Sequence, residues 1–259
     1  MKAMQQRELE GRTALVTGAS RGIGRAVALA LGGMGARVIV TARSEEALAS
    51  TVSALRGVRV DVLALAGDLR ERAFLERLAR SAPAIDVLVH NAAAFAPYAP
   101  LERVDDAEFE RVLDVNLRAP LQLTAMLIAG MKQRGFGRIV GLGTIAASHG
   151  ADGQVAYSTA KAGLTGFIKS LAAESADHGV TANVVEPGLI STERIAESVE
   201  PVYQRRILAN TAIARAGTPD EVAALVAFLC TPRAAYITGA VLPVSGGFGV
   251  GLYARENPS

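Results

Sequence analysis

Short apolar runs alternate along this chain with stretches whose apolar residues recur every three or four positions. The first run, residues 13–17, is apolar or β-branched throughout, which predicts a buried strand. After a glycine-rich turn, Ala26, Val27, Leu29, Ala30 and Leu31 give a helix an apolar face. Residues 37–41 form a second strand-like run, and Ser44 then caps a helix to about Leu55, with Glu45 and Glu46 in its first turn. Further runs at 58–65, 85–89, 138–142, 180–185 and 241–243 predict five more strands. Helical spacing fills 74–79, 106–132, 154–176 and 219–230, the last opened by Pro219. Strands that are apolar without alternation are buried on both faces. The order therefore predicts an α/β fold: a doubly wound parallel sheet of about seven strands with helices on both faces. Its ligand crevice should lie beyond the carboxyl ends of the strands.

Composition narrows this picture. The 259 residues are half hydrophobic and one-fifth charged, and no linker, repeat or low-complexity tract divides them. One domain over 1–259 is expected. No apolar run reaches the ~18 residues of a membrane span, and the polar stretch 1–11 has no signal-peptide core. Cys230 is the single cysteine, which fits a reducing, cytoplasmic setting. A net charge of +2 with scattered basic residues gives no reason to expect nucleic acid. The three histidines have no metal-ligand spacing.

Two segments carry chemistry. The first is Gly18-Ala19-Ser20-Arg21-Gly22-Ile23-Gly24, between the first strand and the first helix. Glycines let a phosphate approach the main chain, and the helix start offers it free N–H groups and a positive dipole end. The spacing is G-x-x-x-G-x-G, not the commoner G-x-G-x-x-G. The second segment is Tyr157-Ser158-Thr159-Ala160-Lys161. Residues four apart share one helix face. A phenol ionises near pH 10 when free, and a fixed cation beside it lowers that value. Such a pair can pass a proton to or from an alcohol or ketone oxygen.

These motifs, with Gly67-Asp68-Leu69, Asn91-Ala92-Ala93-Ala94, Val115-Asn116-Leu117 and Glu186-Pro187-Gly188 in the same order, resemble the single-domain short-chain dehydrogenase/reductases. The resemblance covers nearly the whole chain and is nearest to the β-ketoacyl-(acyl-carrier-protein) reductase branch. It implies a single-domain Rossmann-type fold and a catalytic set of Asn116, Thr144, Tyr157 and Lys161. Tyr157 would be the general acid. Lys161 would lower its pKa and bind the nicotinamide ribose, and Asn116 would steady a water. Thr144 stands where the family usually has serine and keeps the hydroxyl; Ser148 is the rival. Gly18, Ser20, Arg21, Gly22, Ile23 and Gly24 would cradle the cofactor. Asp68 and Leu69 would flank its adenine, Asn91, Ala92 and Ala93 would line it, and Pro187, Gly188, Ile190 and Thr192 would meet the nicotinamide. The resemblance also implies a homotetramer joined through the two long helices and through the C-terminal helix and strand.

Selection for NAD usually places an acid after the second strand. Ala42 and Arg43 stand there instead. Arg43, with Arg21 from the other side, would suit the 2′-phosphate of NADP(H). The family's specificity loop corresponds to about 189–217. Its arginines fit either an anionic substrate or a solvated lid. An acyl-carrier protein is a candidate partner, although Ala173 stands where its reductases tend to carry a basic residue. Lys132 and Arg134 lie near the expected docking side. Three functions follow: an NADPH-dependent ketone reductase, an NADP-dependent alcohol dehydrogenase acting on a sugar, steroid or secondary metabolite, and a dinucleotide-binding regulator without turnover.

Overall fold

The computed structural model describes residues 7–251. The outermost parts of the expected domain, and the first six residues of the polar N-terminal stretch, lie outside them. Seven parallel strands form one sheet in the order β3-β2-β1-β4-β5-β6-β7. They are β1 (Thr13–Thr17), β2 (Arg37–Ala42), β3 (Val62–Ala66), β4 (Val87–His90), β5 (Gly137–Leu142), β6 (Val180–Pro187) and β7 (Val241–Val244). The chain builds outward from β1 to β3 and then returns to place β4 on the other side of β1. That reversal opens a crevice between the ends of β1 and β4.

Each face of the sheet buries its own core. Val16, Val38, Val40, Val89, Val140 and Val185 pack under α1 (Gly22–Gly33), α2 (Glu45–Gly57) and α10 (Pro219–Leu229). Leu15, Ile39, Leu88, Ile139 and Val184 face the other way. They meet α3 (Arg72–Ala79), α5 (Ala119–Gln133) and α7 (Val155–Ser175). Neighbouring strand residues thus enter opposite cores, which is why the strands read as unbroken apolar runs.

Three elements differ from expectation. The strand expected over 58–65 begins only at Val62, because α2 runs on to Gly57 and Arg59 adopts a left-handed φ of +62°. The helix expected over 106–132 is α4 (Asp106–Leu113), a π-helical turn at Asp114–Arg118, and then α5. Part of this continuous stretch is long and apolar enough to cross a membrane. Its apolar side, including Leu123, Leu127 and Met131, is buried in the second core instead. Short helices α6 (Ile145–His149), α8 (Glu193–Ser198) and α9 (Pro201–Ala209) arise where loops were expected.

His90 ends β4 within this packing, 3% exposed, with Nε2 2.8 Å from Thr124 Oγ1 on α5. Burial lowers its pKa to about 3, and the Lys161 charge adds to the effect. The unfolded chain protonates this imidazole near pH 6.5, while the folded chain leaves it neutral. Its contribution is therefore complete above pH 6.5 and is lost progressively down to about pH 3. His90→Asn should weaken the fall in stability between pH 7 and 5 by about 2 kcal/mol. Urea unfolding of both proteins at the two pH values checks this; equal falls would refute it.

Candidate active site

The crevice between β1 and β4 is built by backbone and side chain together. Thr17 Oγ1 accepts from the N–H groups of Asn91 and Ala92, at 3.1 Å each, and donates to Val89 O. The Asn91 amide donates in return to the carbonyls of Thr17 and Gly18, both at 2.9 Å. A side chain on Gly24 would place its Cβ 2.3 Å from Asn91 Nδ2 and 2.4 Å from Gly18 O. Gly18 has φ +65°, and its own Cβ would stand 2.7 Å from Ala92 Cα. Neither position has room for a methyl group. Thr51 of α2 braces the turn from behind by donating to the carbonyls of Ala19 and Ser20.

This turn fits a dinucleotide. Its helix α1 starts with no side-chain cap and no acid in its own first turn, so its leading N–H groups and positive dipole end suit an anion. Asp68 lies at the far side, half-buried, gripped by the Arg70 guanidinium at 2.6 Å. That hydrogen bond holds its carboxyl below the usual carboxylate range. Arg43 is exposed, and its charge also reaches Asp68. Among the described residues it forms no ion pair.

Several expected cofactor contacts are spent differently. Arg21 pairs with Glu197 of α8 at 2.8 Å, because the segment after β6 folds back across the glycine turn. In this arrangement its guanidinium faces that carboxylate, across an exposed pair. Ile190 is 4% exposed and packs into the first core, so only its backbone faces the crevice region. Leu69 packs against the second core. Thr192 caps α8 by accepting from Ile195 N, and its methyl lies over Gly22. Gly188 donates to Val244 O, fixing the exit from β6 beside Pro187.

Tyr157 and Lys161 project from one face of α7. Lys161 is 2% exposed, and its ammonium donates to Leu142 O at 2.7 Å, at the end of β5. Burial lowers its pKa to about 8, which brings the group close to neutral-pH proton exchange. The ammonium is 5.8 Å from the Tyr157 ring centre. Tyr157 stacks on Phe95 with ring centres 4.3 Å apart. Burial raises the phenol above the usual tyrosine range, and Arg194 is the cation that pulls it back. The Lys161 ammonium, held by the Leu142 carbonyl, keeps its charge and also acts on His90.

Thr144 follows β5 and caps α6, its Oγ1 accepting from Ala146 N at 3.2 Å. That leaves its hydroxyl proton to donate. The rival Ser148 gives its proton to Glu186, with both carboxylate oxygens within 2.9 Å. Asn116 sits in the π-helical turn, fully buried, and donates to Ala94 O and Val112 O. Its Oδ1 is buried without a protein partner among the described residues.

Sequence reasoning missed Arg70 and Glu197, whose contacts depend on tertiary placement, whereas Phe95, expected to face the pocket, lies against Tyr157. A surface hollow of about 450 Å³ lies elsewhere, beside Leu63, Leu65 and Arg77. It is open, and no motif reaches it. The cleft beside Tyr157 is narrower and is lined by Phe95, Pro97, Val104 and Gln154.

The family model described as enoyl-(acyl carrier protein) reductase matches residues 18–249. The chain belongs to the short-chain dehydrogenase/reductase family. Among curated members of this family, 3-oxoacyl-(acyl-carrier-protein) reductase FabG of Vibrio harveyi is 41% identical over 241 residues, 92% of this chain and 98% of that protein. FabG of Escherichia coli K12 is 40% identical over 240 residues, covering 92% and 97%. A solved 3-oxoacyl (acyl-carrier-protein) reductase of Agrobacterium tumefaciens C58 with NADP bound gives TM-score 0.88 at 32% identity, over 96% of this chain and 98% of that chain. A proposed gluconate dehydrogenase of Agrobacterium tumefaciens gives 0.89 at 32% identity, over 95% and 99%.

Proposed function

We propose that this short-chain dehydrogenase/reductase is an NADP(H)-dependent ketoreductase that reduces a carbonyl compound to a secondary alcohol. The observation that carries the reading is the buried Lys161, one helical turn after Tyr157 and tied to the strand that ends just before Thr144. A buried ammonium without a carboxylate partner is destabilising, and proton transfer gives it a use. NADP(H), when bound, supplies the hydride for reduction. Tyr157 gives its hydroxyl proton to the substrate oxygen. Thr144 donates a hydrogen bond to that same oxygen, and Lys161 returns a proton towards the phenol. Asn116 Oδ1 would accept from a water that links Lys161 to solvent.

The reverse reaction, oxidation of a secondary alcohol, uses the same groups, and the gluconate dehydrogenase neighbour supports retaining it. The FabG relatives support a 3-oxoacyl thioester, and an acyl-carrier protein as the partner presenting it. The expected docking side offers little free charge for such a partner. Lys132 donates to Glu174 O, Arg134 is engaged by Asp86 and the Ile85 carbonyl, and Ala173 is exposed without charge. A cytoplasmic setting is supported by Cys230, which is buried and free, its thiol pushed up to about 12 by desolvation.

A panel of ketones, 3-oxoacyl thioesters, enoyl thioesters and secondary alcohols, assayed with NADPH or NADP⁺, tests the activity. Ketone reduction is expected; saturation of only the enoyl substrates, or no turnover with bound cofactor, would overturn it. Tyr157→Phe should lower kcat on the order of 10²-fold or more while NADPH still binds. Thr144→Ser should stay active and Thr144→Val should lose most activity. If Val matches the wild type, the oxygen is held elsewhere.

Arg43 is the exposed cation left for the 2′-phosphate now that Arg21 is paired with Glu197. Fluorescence titration should show NADPH binding at least about tenfold tighter than NADH, the gap shrinking as salt rises. Arg43→Ala should remove most of the gap with little change for NADH. Equal affinities in the wild type would make Arg43 a bystander.

For assembly, we propose a homotetramer. The supporting feature is a run of small residues on α7: Ala162 and Gly166 are exposed, and a Cβ built on Gly166 would meet nothing within 4 Å. Light scattering at micromolar concentration should give four times the chain mass. A monomer would contradict the proposal outright.

A further inference from the structure

Arg194, in the first turn of α8, is placed unlike the other arginines of the crevice. It is half-buried, and its guanidinium carbon lies 3.7 Å from the centre of the Phe95 ring. Phe95 in turn stacks on Tyr157. The guanidinium is therefore layered one ring away from Tyr157, within electrostatic reach of Arg21, Arg43 and Glu197. Stacking occupies its flat face and leaves its edge of N–H donors free. Among the described residues it makes no hydrogen bond and no ion pair. The neighbouring cation Arg21 is already neutralised by Glu197 at 2.8 Å. The acid at the other side of the pocket, Glu186, is turned to Ser148.

A rigid, partly desolvated guanidinium with an open donor edge is suited to a planar oxyanion gripped by two parallel hydrogen bonds. A single guanidinium matches a monoanion better than a phosphate dianion. Building on the reductase reading above, we infer that Arg194 determines substrate class by binding a carboxylate carried on the same molecule as the reacting ketone. The preferred substrate is then a free oxo acid rather than a neutral carbonyl compound or a thioester, in which the carboxyl group is masked. The carboxylate sits on the Phe95 side of the pocket, several bonds from the carbonyl carbon that faces Tyr157.

The test pairs oxo acids with their methyl esters, which keep the carbon skeleton and remove the charge. With the intact protein and NADPH, kcat/KM for the acid should exceed that for the ester by at least about tenfold. In Arg194→Met that ratio should fall to within about twofold of one, and Arg194→Lys should retain part of it. The Kd of NADPH, from fluorescence titration, should change by less than about twofold in Arg194→Met. A wild-type ratio near one, with esters and thioesters reduced well, overturns the inference and leaves the ketoreductase reading standing. A weakened NADPH Kd with an unchanged acid-to-ester ratio also overturns it, because Arg194 then serves the cofactor's phosphates. Failure to reduce any ketone removes both readings together.

Discussion

Everything at this site depends on one buried exchange of hydrogen bonds across the gap between β1 and β4. Thr17 and Asn91 hold each other's backbone, and the Asn91 amide closes over the Gly18 carbonyl. A parallel sheet that reverses its build direction leaves polar backbone ends at the reversal, and unpaired buried groups there would be destabilising. This exchange satisfies them in a space so tight that only glycine fits at position 24. The same tightness excludes side chains at Gly18 and Gly24, where the backbone turns into α1. Stability of the crevice and its capacity to bind phosphate thus share one cause.

From that fixed point the reactive groups are carried in by three separate elements. The end of β5 presents Thr144 and supplies the Leu142 carbonyl that anchors Lys161. The helix α7 sets Tyr157 and Lys161 one turn apart. The π-helical turn brings Asn116 beneath them, with one oxygen left without a protein partner. The flanking segments then close the pocket with aromatic stacking, Phe95 on Tyr157 and Tyr98 on Tyr203. The framework is made of strands and long helices, with the short helices α6, α8 and α9 laid over it; such a division allows one framework to carry different sites.

The strands and long helices were legible because each obeys a local rule. Residues such as Leu15 and Val16 enter opposite cores, so their run is apolar without a gap. The Tyr157–Lys161 spacing follows directly from helical geometry. What was not legible depends on distant neighbours or on fine backbone choice. Arg21 and Glu197 are 176 positions apart, and nothing near Arg21 signals that an acid will reach it. The left-handed turn at Arg59 shortened β3 from its expected start. Helices α6, α8 and α9 have too few turns to show a period. The state of Tyr157 is likewise a tertiary matter: burial raises the phenol, and Arg194, distant in the chain, is the cation that pulls it back.

The π-helical turn at Asp114–Arg118 has a consequence for how this chain can change over time. A π turn widens the backbone loop by one residue relative to the α-helix around it. The widened turn absorbs its extra residue locally, so deleting one residue there would restore ordinary helical bonding and leave the two flanking helices close to their present phase. Leu123, Leu127 and Met131 would keep their places in the second core, while Asn116 would lose the widened turn from which it reaches the Ala94 carbonyl. The extra residue therefore serves the placement of one amide and not the packing of the long helix.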